Sequence, residues 1–342
     1  MEKIKIGITH GYTNGVGYEV ILKAFEEPTL LELCTPLVYG SPKLASYYRK
    51  ALSLATNFTT IQRAEDAVAD RLNIVECIQD EVKVELGQKT EEADKATTAS
   101  IEAARRAYAE KQFDALVLAP GDKTPTDSGS TILLNERARV GLFTDGISLS
   151  EVSKHLTVEK MSKKLADFDL CLKRDFGISG PRIAVLALNP EPGEEEENII
   201  KPVIEQAAEK HIFAMGPFAA DTFFGSQAYT HYDGILAMYH DQGYIPFQVI
   251  PSDYNIIMHF EEDNEAVTIA QLNDAQLASA GKGEAEITSF CNAIYAATDV
   301  LRNRARYDEA RRNPLPKLFH DKREDLRRSP KPEAQNAPDE EK

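Results

Sequence analysis

Seven short runs rich in β-branched and apolar residues punctuate the first 240 positions: IKIGIT (4–9), PLVYG (36–40), LNIVEC (72–77), DALVLAP (114–120), RVGLFT (139–144), PRIAVLALNP (181–190) and DGILAMY (233–239). Such runs lack the polar alternation of a half-exposed strand, so they call for a sheet covered on both faces. Between them lie helical patterns. Residues 91–112 are rich in Ala, Glu, Lys and Arg. Residues 157–176 place Met161, Leu165, Phe168 and Leu172 three or four apart, and 194–210 and 286–306 read the same way. Strand and helix in alternation predict a mostly parallel α/β sheet, or two such sheets.

The 342 residues suit one large α/β unit or two lobes around a shared cleft. Charged residues make up 27% and hydrophobic ones 42%, the balance of a globular chain. No window reaches 18 uninterrupted apolar residues and the chain opens directly on a strand-like pattern, so a cytoplasmic protein is expected. A net charge of −16 argues against nucleic acid or an anionic membrane as partner, since a phosphate-binding face needs positive charge. The four cysteines are widely scattered, without a C-x-x-C pair, and read as free or buried thiols. After Asn313 the composition turns to Pro and charge, and a disordered tail is expected over 313–342.

Three strand ends carry candidate chemistry, because open α/β sheets bind ligands at the carboxyl ends of their strands. The first is AMYHDQG. There His240 can ligate a metal or relay a proton, Asp241 can orient it or bind the same ion, and Gly243 permits a tight turn. The alternative at this point is a helix start that Asp241 merely caps. The second is GITHGYTNGVGYEV (7–20), where amides around Gly11 can face an anion ahead of a helix starting near Tyr18. It is neither a dinucleotide fingerprint nor a P-loop, since the third Gly and the G-K-[ST] are missing. The third is LNPEPGEEEEN (188–198), whose acids suit the first turn of a helix.

Taken together, THGYTNGVGYEVILKAF, RIAVLALNPEPGE, GPFAADTFF (216–224) and DGILAMYHDQGYIPF resemble, in order over most of residues 3–305, the 4-hydroxythreonine-4-phosphate dehydrogenases of vitamin B6 synthesis. The resemblance implies two α/β/α lobes with mostly parallel sheets around a central cleft, similar to isocitrate and isopropylmalate dehydrogenases. It places residues 1–130 with about 280–312 in one lobe and 131–279 in the other. It also implies a homodimer that oxidises a small phosphorylated hydroxy amino acid with NAD, assisted by a divalent metal such as Zn, Mg, Mn or Co, the oxidised product then decarboxylating. Carried over by position, His240 becomes a metal ligand and residues 189–194 and 239–243 an active-site wall, with Asn189 and Gly193 as substrate-binding residues; Lys123, like Gly11, is placed to touch an anion of the substrate.

This chain departs from the family pattern at several positions. Glu191 stands where a His follows L-N-P, and Asp145 stands near the second family His. A His240, Glu191 and Asp145 set would suit a harder ion such as Mg or Mn. Gln248 replaces the Lys expected eight residues past the motif His, Tyr12 replaces an Asp, and the family's P-G-H-T-E stretch is absent. Three readings stay open: the dehydrogenase with a remodelled site, a non-catalytic member acting as dimer partner or ligand-binding protein, and a dehydrogenase for a different substrate. Glu261, Glu262 and Asp263 motivate the last of these.

Overall fold

The computed structural model of the chain describes residues 3–79, 81–122, 129–260, 267–271 and 276–313. The strands are β1 (Ile4–Thr9), β2 (Cys34–Gly40), β3 (Phe58–Ile61), β4 (Leu72–Glu76), β5 (Ala115–Leu118) and β6 (Ser130–Leu134). They continue with β7 (Arg139–Leu142), β8 (Arg182–Leu186), β9 (Phe213–Phe218), β10 (Gly234–Ala237), β11 (Ile256–Phe260) and β12 (Val267–Gln271). The helices are α1 (Gly17–Ala24), α2 (Thr29–Leu33), α3 (Pro42–Ala51), α4 (Glu91–Ala109) and α5 (Leu149–His155). They are followed by α6 (Val158–Arg174), α7 (Lys201–Glu209), α8 (Ala220–Gly225), α9 (His240–Val249) and α10 (Thr288–Arg311).

All twelve strands join one sheet in the order β3-β4-β2-β1-β5-β12-β11-β6-β7-β10-β8-β9. The expected mostly parallel α/β architecture is what forms, with helices on both faces. Along each buried strand successive residues feed opposite cores. Ile6, Ile8, Val38 and Val117 face one side, while Leu37, Tyr39, Leu116 and Leu118 face the other. In the second half Ile183, Val185 and Leu236 belong to the first core, and Ala184, Leu186, Ile235 and Ala237 to a third cluster.

Three antiparallel pairings, β12–β11, β11–β6 and β6–β7, interrupt the parallel order. They reverse the strand direction, so β1, β2 and β5 run one way and β7, β8 and β10 the other. The carboxyl ends of the two halves therefore lie on opposite edges of the sheet. Helix starts are set locally: Thr90 Oγ1 accepts from Ala93 N at 3.2 Å to open α4, and Thr157 Oγ1 from Lys160 N at 3.3 Å to open α6. No described helix is long and apolar enough to cross a membrane, and the four cysteines are free thiols. The tail expectation falls on residues 314–342, outside the described residues.

Candidate active site

The adjacent parallel strands β7, β10 and β8 bring three loops to one edge, and α9 starts there at His240 itself. The β7–β10 pairing runs past the strand ends: Phe143 N donates to Ala237 O at 2.8 Å and Thr144 Oγ1 to Met238 O at 2.7 Å. That extension carries Asp145 to His240, whose Nδ1 lies 2.9 Å from Asp145 Oδ1. His240 is half exposed while the Asp145 side chain is 11% exposed. The same Oδ1 accepts from Gly146 N at 2.9 Å, and Oδ2 is buried without a hydrogen-bond partner. The imidazole stacks on Tyr244, one helical turn on, with centroids 3.9 Å apart. Burial, then the Asp145 charge, pushes the Tyr244 phenol up, so this ring stays neutral beneath the imidazole.

The rest of the H-D-Q-G string is structural. Gln242 is buried; its Oε1 accepts from Met238 N at 2.7 Å and its Nε2 donates to Ala187 O at 2.7 Å, tying the end of β10 to the end of β8. A Cβ on Gly243 would sit 2.5 Å from Leu142 Cδ2, so the glycine lets α9 lie against β7. Asp241 is exposed in the first turn of α9, where its charge suits the helix dipole.

Beside these lies the loop after β8. Glu196 is fully buried and accepts from Asn189 N at 2.9 Å and Gly193 N at 2.8 Å, with Asn189 Nδ2 at 3.1 Å. Burial pushes its carboxyl up, but the hydrogen bonds from Asn189 and Gly193 outweigh it and hold the group below the ordinary glutamate range. Asn189 and Gly193 are thus engaged in shaping the loop. The sequence places these acids in the first turn of a helix, where they suit its dipole; the signal for Glu196 was its place three residues after Gly193, where a carboxylate can close back on the loop amides.

Glu191 is exposed on that loop, and among the described residues no group of three His, Cys, Asp or Glu side chains is placed to hold a metal ion. His240 and Asp145 supply two donors, and a protein ion site takes three or more. The described residues do not fit the implied divalent metal. Gly11 is well formed as a turn, with φ +75° and no room for a Cβ beside Pro120 O at 2.5 Å, but it ends β1 on the opposite edge. Within one chain it does not meet His240. Lys123 lies outside the described residues, as do Glu261, Glu262 and Asp263.

Two features went unread in the sequence. Asp122, just past β5, has buried carboxylate oxygens, and burial pushes it up to about 7 against the pull of Thr9, Gly11 and Arg105. On the His240 edge, a cleft of about 650 Å³ is lined by Gly129, Ser130, Thr144, Lys160, Lys163 and Lys164, with His155, Phe143 and Asp167 completing the wall. The fold brings His155 to this wall from the end of α5. His10, by contrast, is fully buried and stacks on Tyr18 with centroids 5.1 Å apart.

Fold and site together define an α/β protein whose polar groups converge at the carboxyl ends of β7, β10 and β8. The chain belongs to the family described as Pyridoxal phosphate biosynthetic protein PdxA, whose sequence profile matches residues 32–130 and 121–297. It is 45% identical to the 4-hydroxythreonine-4-phosphate dehydrogenase of Bacteroides thetaiotaomicron, over 94% of this chain and 96% of that protein. The enzyme of the same name from Prosthecochloris aestuarii is 32% identical, over 86% and 97%. In fold the chain is similar to the crystal structures of the Burkholderia phymatum and Klebsiella pneumoniae enzymes of that name. The TM-scores are 0.69 and 0.70 and the identities 24% and 23%, over 88% and 87% of this chain and 99% and 98% of those.

Proposed function

We propose that the chain is an NAD-dependent dehydrogenase acting on the secondary alcohol of 4-hydroxythreonine 4-phosphate, with His240 as the base. The observation that carries this reading is the His240–Asp145 pair at the strand ends. Its support from outside the chain is the 45% identical relative that bears the enzyme's name. With Asp145 accepting from Nδ1–H, the imidazole keeps the tautomer whose Nε2 lone pair is free. Nε2 takes the hydroxyl proton while the carbinol C–H leaves with its electron pair for the nicotinamide, giving ketone, NADH and an imidazolium that Asp145 stabilises. Tyr244 holds the ring plane.

The test is NADH absorbance on mixing protein, NAD and the substrate, with and without chelator. The expected result is turnover that survives the chelator and falls about 10²-fold or more in His240→Ala. A second reading, a non-catalytic member of the family, is favoured by the two-donor site and the exposed Glu191. Absence of NADH from folded protein, with or without added Mg, Mn, Zn or Co ions, would establish it and remove the first.

A further inference from the structure

We propose that the lysine-lined cleft beside the His240–Asp145 pair is the subsite for the substrate's phosphate, with Lys164 as inner donor and Lys160 and Lys163 as outer ones. It rests on the dehydrogenase reading for the identity of the phosphorylated molecule, and on the cleft alone for the chemistry.

The cleft reverses the sign of the molecule. On a chain of net charge −16, its wall presents three lysines against one acid, Asp167, which accepts from Lys163 Nζ at 2.8 Å and leaves the wall cationic on balance. A concave wall of one sign concentrates the opposite charge. Lys160, Lys163 and Lys164 are spaced i, i+3 and i+4 on α6, so they share one face. What makes that face a wall is β6: its start, Gly129 and Ser130, runs antiparallel to β7 and so meets the β7 carboxyl edge. Lys164 Nζ donates to Gly129 O at 3.0 Å and Ser130 Oγ at 3.1 Å, which fixes the ammonium and leaves one of its three donors. Burial pushes this ammonium down to about 8. An arriving phosphate dianion adds to the Asp167 and Asp145 charges that partly offset that burial.

The position suits the reaction. Thr144 lines the cleft and the next residue is Asp145, while the Thr144 hydroxyl is bound to Met238 O, two residues before His240. A phosphate held by the lysines therefore anchors a short substrate beside the imidazole. The volume of about 650 Å³ lies within the range of small-molecule sites.

The experiment is calorimetric titration of inorganic phosphate into the full chain at low salt, for wild type, Lys164→Met and the exposed double variant Lys160→Glu/Lys163→Glu. Wild type should bind, and each variant should lose about tenfold or more in affinity, the effect of removing a hydrogen bond to a charged group. Equal binding in all three, or no binding by wild type, would overturn the assignment. If Lys164→Met does not fold, the double variant decides. NADH formation measured in parallel separates the two readings. Phosphate bound through the lysines without turnover upholds the subsite and removes the dehydrogenase. Turnover with an unchanged KM in the double variant removes the subsite and leaves the dehydrogenase standing.

Discussion

His10 shows how far a single residue can depart from what its neighbours in sequence suggest. It stands on the glycine-rich loop whose amides around Gly11 can face an anion, yet it is fully buried, stacked on Tyr18, with Nε2 3.2 Å from Ala96 O and Nδ1 without a partner. Burial pushes its pKa down to about 4. The sign of the linkage follows. The unfolded chain protonates this imidazole near its ordinary value of 6.5 and the folded chain does not. The neutral burial therefore contributes fully above pH 6.5, and its contribution is lost as pH falls from there toward 4. The shift corresponds to on the order of 3 kcal/mol. His10→Phe keeps a ring against Tyr18 and removes the titration. Urea midpoints should fall between about pH 7 and 4 more steeply for wild type than for the variant. Parallel curves would show that His10 is not held neutral.

At the scale of elements, every apolar run read in the sequence became a strand that pairs in parallel with a neighbour. β1 coincides with the run read at 4–9, and β2, β4, β5, β7, β8 and β10 each lie within a run or match it to a residue or two. Five strands went unread: β3, FTTI, is a short edge strand in which only Ile61 is buried, whereas β6 and β11 are buried as fully as the strands that were read. β9, FAMGPF, has Phe213 exposed and carries a Gly and a Pro; β6, β11 and β12 form the antiparallel centre, which only pairing reveals. The site divides in the same way. The His240 corner was legible because a polar string ended an apolar run. Lys160, Lys163 and Lys164 lie off the apolar stripe of Met161, Leu165, Phe168 and Leu172, and only the fold sets the start of β6 opposite them. Asp145 was legible only by its position relative to the family pattern.

Helix α10 illustrates an interaction that no local pattern announces. Arg304 donates from Nε to Asp175 Oδ1 at 2.7 Å and from Nη2 to Oδ2 at 3.1 Å, with the side chains 9% and 3% exposed. Its guanidinium also lies 5.7 Å from the Phe260 ring centroid at the end of β11. The pair fastens the end of α6 to α10. Removing one partner leaves a buried charge alone, so Asp175→Ala should destabilise the fold by about 3–5 kcal/mol in urea titration. Asp175→Ala/Arg304→Met removes the orphan and should recover a large part of that loss. A double variant no more stable than Asp175→Ala would mean that the pair contributes by packing rather than by mutual neutralisation.

Across the whole molecule, the reversal of strand direction sets two carboxyl edges on one sheet: Gly11 and Asp122 on one, and His240, Asp145, Asn189 and the lysine cleft on the other. What joins them mechanically is the unbroken hydrogen-bonded order through β5, β12, β11, β6 and β7. Helix α10 reinforces it, touching β1, β5, β11 and β12 as well as α1, α2 and α6. A chain of this length often divides into units that open independently. Here the division would have to cut either through a strand pairing or beneath α10, exposing Phe290, Ile294 and Ala297, all 0% exposed. We therefore expect the buried amides of β1 and of β10 to exchange with solvent deuterium through the same global opening, with equal free energies. The Asp175→Ala variant, whose lesion touches both halves through α10, should lower both by the same amount. Faster exchange at β10 than at β1, or a response confined to one of them, would place a boundary at the antiparallel centre and make the two edges separately folding units.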